Sequence, residues 1–356
     1  MKPRLLCWTC LVFLWLCGCR YSAYLNFDDF NAPSVVIPYS AKGTPVQEIP
    51  IWGPASKARA EISGLEWYGD TLILLPQYPS RFFGGSEGAL ITFKKEDIIR
   101  YLEGKETTPL VPGYLPFYAP GIDVLPGFEG FEAIAIKDDT VFLTAETHVG
   151  LWQSMMGYLI RGKISPDMTS VVMDVKDKVE LFPLSDIMNL SHEALLVWGD
   201  EIVAFYEGNG IAITSNPVAY RYDLASRELP PLSFPNIEYR ITDVTAPDED
   251  NYFWAINYFY PGDERLENDD DPLVTIYGNQ FAHVHNEPVE RIVEFQISDN
   301  GITLSKRNPI RIKLADSGES RNWEGIVRLD EKGFLVVTDK TPSTILGFIP
   351  RGGENN

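Results

Sequence analysis

Strand-length apolar runs recur along the chain in pairs, and each pair begins and ends with a polar residue. In "EAIAIKDDTVFLTAE", Glu132 precedes one apolar run, an acidic turn follows, and a second apolar run ends at Glu146. Two β-rich runs joined by a short Asp- or Gly-containing turn are typical of a β-hairpin. The significance of this hairpin depends on whether the rest of the chain repeats it.

Four more segments repeat the pattern. In all five copies the opening and closing polar residues stand 14 or 15 positions apart; the segments are 63–77, 132–146, 193–207, 243–257 and 324–339. A third strand-like run follows each hairpin, for example "GALITFKKED" and "PVAYRYDLAS". Because self-similarity of this kind indicates a repeat architecture, we interpret the unit as a small antiparallel sheet.

Small sheets repeated radially form a β-propeller, so the sequence predicts an all-β fold with five blades. A sixth, degenerate blade within 260–312 is the alternative. The last repeat is one strand short, and the segment 34–52 has the composition to complete it from the N-terminal side. We therefore predict one propeller domain over 34–350, closed by an N-terminal strand.

The composition limits the classes of partner. The 356-residue chain is 45% hydrophobic, which is enough to bury a large core, and its formal charge is −20. Such an acidic balance argues against nucleic-acid binding through a basic face. The acidic balance is compatible with sites that bind cations.

The N-terminal segment resembles a bacterial lipoprotein signal. All four cysteines lie in the first 19 residues, so the folded body has no disulfide framework. Lys2 and Arg4 precede an apolar run that is too short to span a bilayer, and "LCGC" resembles a lipobox with Cys19 as the lipid-accepting residue. We predict a signal peptide over 1–18, a lipid-anchored tether over 19–33, and a body outside the cytoplasm in a bacterial cell envelope, at the outer membrane of a Gram-negative source. An ordinary secretory signal or an N-terminal anchor helix is the alternative.

The opening residues of the five hairpins form a candidate metal site. The first strand of each propeller blade lines the central channel, so these residues should converge at one level: Ser63, Glu132, Glu193, Asp243 and Glu324. The closing residues should form a second polar ring on the same face, consisting of Gln77, Glu146, Glu207, Asn257 and Asp339. Each pair of carboxylates ~4–6 Å apart costs about 3–4 kcal/mol at an effective dielectric near 20. Protons or a cation must therefore offset the repulsion.

Calcium is the cation that this set of oxygens favours. Hard carboxylate and hydroxyl oxygens select calcium or magnesium over zinc, and five side chains plus water match the usual 6–8 oxygens around calcium. We predict that the five opening residues bind one calcium ion. The alternative is that these acids cap strands or bind backbone amides of neighbouring blades without a metal.

Four segments carry a resemblance to a known family. "SGLEWYGDTLILL", "FEAIAIKDDTVFL", "SHEALLVWGD" and "NWEGIVRL" resemble segments of the five-bladed calcium-activated nucleotidases, or apyrases, and more loosely the phytase-like and esterase-like propeller lipoproteins. The resemblance implies a channel calcium held by one residue per blade, at the five opening positions. At the fourth of these the family tends to have Ser, where this chain has Asp243. The family's nucleotide-binding stretch is not seen, so the resemblance implies fold and metal more than reaction.

The loops that follow the second strands supply candidate catalytic residues. They should place Arg81, His148, Tyr258 and Lys340 above the channel, where cations and aromatics could hold a phosphate ester. One hypothesis is a calcium-dependent hydrolase of phosphate esters or anhydrides, in which Arg81 and Lys340 neutralise charge and Glu146 or His148 handles protons. The other is a non-catalytic surface propeller that binds a protein or a glycan.

The lipobox-like segment gives the first testable prediction. If Cys19 is acylated, metabolic labelling with palmitate should mark the wild-type protein and leave Cys19→Ala unlabelled. Equal labelling of both, or recovery of the wild type as a free soluble protein, would show that the segment is not a lipoprotein signal.

Overall fold

The computed structural model describes residues 43–82, 88–148, 155–263, 266, 271–277 and 288–351. Within these ranges the chain forms strands β1 to β22 and two short α-helices. No helix in the described ranges has the length and apolar character to cross a membrane. The N-terminal residues 1–42, including Cys19, lie outside the described part of the chain.

The strands follow one another in chain order as successive blades, and a parallel pairing of Phe117 with Val171 joins blades one and two into one nine-stranded sheet. Strand β1 is Gln47–Ile49. Blade one contains β2 (Ile62–Tyr68), β3 (Thr71–Pro76), β4 (Ala89–Lys94) and β5 (Gly113–Tyr118), with helix α1 (Lys95–Leu102) before β5. Blade two contains β6 (Phe128–Lys137), β7 (Thr140–His148), β8 (Met155–Ile164), β9 (Val171–Met173) and β10 (Val179–Leu181). Blade three contains β11 (His192–Trp198), β12 (Glu201–Tyr206), β13 (Val218–Asp223) and β14 (Glu228–Ser233).

The last two blades complete the circuit. Blade four contains β15 (Arg240–Val244), β16 (Tyr252–Phe259), helix α2 (Pro272–Tyr277), β17 (Val289–Ser298), β18 (Gly301–Leu304) and β19 (Ile310–Arg311). Blade five contains β20 (Trp323–Leu329), β21 (Gly333–Thr338) and β22 (Leu346–Pro350). Strand β1 pairs antiparallel with β22, Ile49 opposite Leu346, so the N-terminal segment supplies the outer strand of this blade.

The first strands of the five blades form a closed ring. Strand β2 contacts β6, β6 contacts β11, β11 contacts β15, β15 contacts β20, and β20 returns to β2. The predicted all-β propeller with five blades is confirmed. The described residues of 260–312 belong to blade four, as α2 and β17 to β19, so they add no sixth blade to the ring.

Local sequence explains the hairpins inside each blade. Two-residue turns join β2 to β3 and β11 to β12, and Gly69 and Gly199 open them at φ 57° and 59°. Glycine adopts this left-handed conformation without the Cβ clash that other residues meet. The second strands are buried along most of their length because each lies between two strands of its blade and between neighbouring blades.

The core lies between the blades. Aromatic rings join blades three and four, where the centroids of Phe205 and Phe253 are 5.6 Å apart. The ring of Phe295 stacks on Phe253 at 5.5 Å and on Phe234 at 5.2 Å. Each blade covers the apolar face of the next blade. The ring therefore buries apolar surface that a single small sheet would leave exposed to water.

Candidate functional site

Each inner strand is irregular at the position of its opening polar residue. The ladders between first and second strands shift register between Ile62 and Gly64, and at corresponding places in the other four blades. The residues left out of the ladders are Ser63, Glu132, Glu193, Thr242 with Asp243, and Glu324. A β-bulge leaves its extra residue unpaired and re-aims the side chain. The repeat seen in the sequence is therefore a repeat of bulges around the channel.

These bulges surround a cavity of about 760 Å³ at one end of the channel. Eight of the ten residues predicted for the two polar rings line it: Ser63, Glu132, Glu193 and Glu324 of the inner ring, with Gln77, Glu146, Glu207 and Asp339 of the outer ring. The predicted candidates Lys340 and Tyr258 also line it. The structure thus brings residues from all five blades to one polar cavity.

Asp243, the predicted fifth ligand, has a different environment. It is not among the residues that line the cavity. Its carboxylate accepts hydrogen bonds from the backbone N–H groups of Val244, at 2.8 Å, and of Ile326 in blade five, at 2.7 Å. The bulge in blade four contains two residues, and the neighbouring Thr242 hydroxyl also donates to blade five, to the carbonyl of Trp323. Asp243 therefore bonds blades four and five, as in the metal-free alternative, and we do not include it among the candidate ligands.

Asn257, the outer-ring residue of blade four, also supports the wall rather than lining the cavity. Its amide nitrogen donates to the carbonyls of Glu238 and Arg240, and its oxygen accepts from the Arg291 guanidinium at 2.6 Å. Every polar atom of this side chain is engaged with the protein. Blade four therefore contributes neither of its predicted ring residues to the cavity.

Arg240 is the functional residue that the sequence analysis missed. It opens β15, its side chain is 12% exposed, and its guanidinium contacts the carboxylates of Glu207 and Asp263. It also donates to the carbonyl of Asn189 at 3.1 Å. "YRITDV" did show an Arg beside a channel strand. The sequence did not show that the Arg240 side chain faces the cavity, because its partner Asp263 comes from a loop later in the chain.

The inner acids are strongly perturbed. Burial, followed by the neighbouring Glu146, raises the pKa of Glu132 well above its usual range, although Gln77 donates to its carboxylate at 2.9 Å. Burial and then Glu207 raise the pKa of Glu193, and burial and then Asp339 raise that of Glu324. Each inner acid is thus opposed chiefly by desolvation and by the outer acid of its own blade.

The outer acids carry oxygens that no donor satisfies. Burial raises the pKa of Glu146 to about 7 and that of Asp339 to about 6. Among the described residues, no hydrogen-bond donor reaches Glu146 Oε1, Glu193 Oε2, Glu207 Oε2 or Asp339 Oδ1, although all four atoms are buried. Buried polar atoms in native proteins are nearly always satisfied. Such oxygens indicate a place for a cation, a proton or a ligand donor.

The donor chemistry fits calcium, but the carboxylates are not gathered into a closed shell. Ser63, Glu132, Glu193 and Glu324 offer hard oxygens, as calcium requires. Within the described part of the chain, no three His, Cys, Asp or Glu side chains lie close enough together to hold a metal ion by themselves. An ion in this cavity would complete its coordination with water.

Two predicted catalytic residues lie away from the cavity lining. Arg81 forms an ion pair with Glu61 at 2.8 Å, and its guanidinium lies 4.2 Å from the Tyr78 ring centroid. His148 Nδ1 is 3.6 Å from the Glu129 carboxylate. Neither lines the cavity, so of the four predicted catalytic residues only Glu146 and Lys340 are retained at the candidate site.

Comparison with known proteins adds little beyond the fold. No protein-family model and no curated protein sequence matches the chain. Similar solved structures include a glucose dehydrogenase (11% identity, 86% of this chain and 99% of that one, TM-score 0.44) and a putative glycoside hydrolase from Parabacteroides distasonis (12%, 91% and 97%, 0.43). Another is a GH43 endo-arabinanase from Bacillus licheniformis (10%, 85% and 95%, 0.43).

These similarities are too distant to carry an argument about function. They do not support the resemblance to the calcium-activated nucleotidases in particular. The assignment of the fold rests on the strand pairing and the closed ring described above.

The environment of Asp243 predicts a structural role that is independent of any metal. Asp243→Ala leaves the buried N–H groups of Val244 and Ile326 without an acceptor, so we expect a loss of about 2–4 kcal/mol in the free energy of unfolding. Urea denaturation should give the same loss with calcium and with a chelator. Asp250→Ala, in the exposed turn of the same blade, should change stability by less than about 0.5 kcal/mol. A loss that appears only with calcium would instead make Asp243 a ligand.

Proposed function

We propose that this protein is a calcium-dependent hydrolase whose substrate enters the channel cavity. One observation carries the proposal: four buried carboxylate oxygens that have no hydrogen-bond donor among the described residues belong to side chains that line one cavity of about 760 Å³. A volume in this range is typical of a small-molecule site. A purely structural ring would be expected to have satisfied those oxygens with backbone amides, as Asp243 does.

The proposed ligands of the ion are the Ser63 hydroxyl and the carboxylates of Glu132, Glu193 and Glu324. They come from four blades, stand at equivalent bulges and line the cavity together. Water would bridge the ion to those carboxylates that do not reach it directly, since no three acids of the described structure lie close enough to hold a metal ion by themselves. When bound, calcium would act as a Lewis acid toward a substrate oxygen. Its two positive charges would also offset the burial and the repulsion between neighbouring acids that raise the pKa of all three acids.

Two further lining residues have proposed roles in handling the substrate. The Lys340 ammonium would neutralise a bound anion such as a phosphate group. Glu146, whose Oε1 lacks a donor within the described structure, would exchange a proton with the attacking water or the leaving group. The phosphate ester or anhydride is the substrate class implied by the family resemblance, and in this acidic cavity its binding would require the cation.

Binding of a glycan without chemistry is the second candidate, and a specific observation favours it. The lining has many acceptors and few cations. Its acids are Glu132, Glu146, Glu193, Glu207, Asp263, Glu319, Glu324 and Asp339, and its basic residues are Arg240 and Lys340. Neutral ligands rich in hydroxyl donors suit such a surface better than free anions do. Tyr260, which is 54% exposed at the same cavity, could provide an aromatic surface for a sugar ring.

We also propose an extracytoplasmic location for the protein. With Cys19 acylated, the propeller would be held at a bacterial membrane with the cavity outside the cytoplasm. Calcium and exogenous substrates would then reach the cavity from the extracytoplasmic space.

Calcium should stabilise the folded protein. An ion that binds only the folded state adds about 2.7 kcal/mol at a hundredfold excess over Kd. For a domain of this size we expect the Tm to rise by a few degrees. Chelator should reverse the rise, and Glu132→Gln or Glu324→Gln should reduce it. These variants also remove a repelled charge, so without metal they should melt at or above the temperature of the metal-free wild type.

A matched acid away from the channel provides the control. Glu96 is exposed in the first turn of α1, so Glu96→Gln should leave the calcium response unchanged. A melting temperature that does not respond to calcium or chelator would contradict the proposed metal site.

Hydrolysis should require both the ion and the cavity acids. Phosphate release from a panel of phosphate esters and anhydrides should occur with calcium and stop with chelator. Glu146→Gln should lower kcat by about 10²–10⁴-fold, the usual contribution of general acid–base catalysis, while the calcium-dependent rise in Tm remains. Binding of glycans on an array with no hydrolysis of any ester would favour the second candidate.

A further inference from the structure

Blade four differs from the other blades in what it presents to the cavity. The other four each contribute an oxygen ligand candidate from the bulge of the first strand. In blade four the bulge residues Thr242 and Asp243 bond to blade five. The cavity-lining residue of its first strand is Arg240, three positions before Asp243, so this strand contributes a positive charge to the lining and no carboxylate.

The backbone of Arg240 is firmly held. It pairs with Tyr258 in the blade-four hairpin and forms an isolated bridge to Gly208 of blade three. Its carbonyl accepts a hydrogen bond from Asn257 at 3.1 Å. The backbone of Arg240 is therefore held between two blades. A simple loop movement would not take its side chain out of the cavity.

The guanidinium joins two carboxylates of different origin. Glu207 follows the second strand of blade three and its side chain is 1% exposed, whereas Asp263 comes from the loop of blade four and is 12% exposed. The second oxygen of Glu207 has no donor among the described residues and remains available to a cation. One acid thus borders both the arginine and the proposed ion.

The charge of Arg240 also reaches acids that it does not contact. Glu146 of blade two, Glu193 of blade three and Glu324 of blade five line the same cavity as Arg240. Burial lowers the pKa of Arg240, but Glu207, Glu193 and Asp263 raise it by more, so the guanidinium stays charged. Its position is central to the acid cluster rather than peripheral.

We infer that Arg240 is a resident cation of the channel, which stabilises the acid cluster when no metal is bound and competes electrostatically with a divalent ion for it. The inference rests on the cation site of the proposed function and adds the residue that sets its affinity. An ion pair that only fastened the Asp263 loop would leave the affinity for calcium unchanged.

Arg240→Gln tests the inference by removing the charge while keeping a polar side chain. Calorimetric titration of the purified protein should show calcium binding at least about tenfold tighter than wild type, because a positive charge close to the ion has been removed. Without metal the same variant should melt at a lower temperature than wild type. Arg240→Lys, which keeps the charge, should stay within about threefold of the wild-type Kd, allowing for its poorer geometry.

Arg227→Gln is the matched control, because Arg227 is an exposed basic residue of blade three that pairs with Asp223 and does not line the cavity. Water screens its charge, so the Kd for calcium should change by less than about threefold. An Arg240→Gln protein with unchanged or weaker calcium affinity would overturn the inference.

A second variant keeps the inference testable if Arg240→Gln does not fold. Asp263→Asn removes one negative partner and directs the arginine more fully toward the channel acids, so calcium should bind about tenfold more weakly. Unchanged affinity would contradict the inference. If wild type shows no calcium binding but Arg240→Gln does, the proposed native metal fails and the resident-cation role stands; if neither binds calcium, both fail.

Discussion

Mutual repulsion among buried carboxylates is the constraint on which the channel depends. Six acids of the two polar rings, contributed by three blades, line one cavity, and burial and proximity both disfavour their charged forms. Such a cluster survives in a folded protein only with compensating positive charge or bound protons. Arg240 supplies part of the positive charge. The raised pKa values show that much of the remainder must come from protons or from a cation.

The β-bulges explain how an apolar strand can carry such an acid at all. A Glu in the regular part of an inner strand would have to fit the strand's alternation of faces, with one face packed against a neighbouring blade. At a bulge the extra residue leaves the ladder, and its side chain turns toward the channel without displacing the apolar residues that follow. The same irregularity thus preserves the core and creates the candidate site.

The departure of blade four connects stability with the candidate function. The Asp243 carboxylate accepts a hydrogen bond from a backbone amide of blade five instead of lining the cavity. Asn257 donates hydrogen bonds to backbone carbonyls of the cavity wall. Arg240 is the residue through which the first strand of blade four lines the cavity. A ring with an acid from every blade would have greater affinity for cations but also greater repulsion when empty, so the exchange of one oxygen for one guanidinium moderates both.

The sequence by itself determined the blade repeat, because the register of polar and apolar positions is local information that each hairpin carries. It therefore predicted the five-bladed fold and eight of the residues that line the cavity. Rim positions were less predictable. Arg81 and His148 follow the second strands as Lys340 does, yet their loops turn them toward Glu61 and Glu129.

Only the tertiary structure decided which polar residues face the channel and which bond to the neighbouring blade. Asp243 and Glu324 occupy equivalent places in the repeat, but the two-residue bulge in blade four sends the Asp243 carboxylate to the N–H of Ile326. The Arg240 side chain faces the cavity, where it pairs with Glu207 of blade three and with Asp263 from a loop of blade four. These side-chain orientations depend on partners that are far apart in the chain. The periodicity of a single hairpin does not reveal those partners.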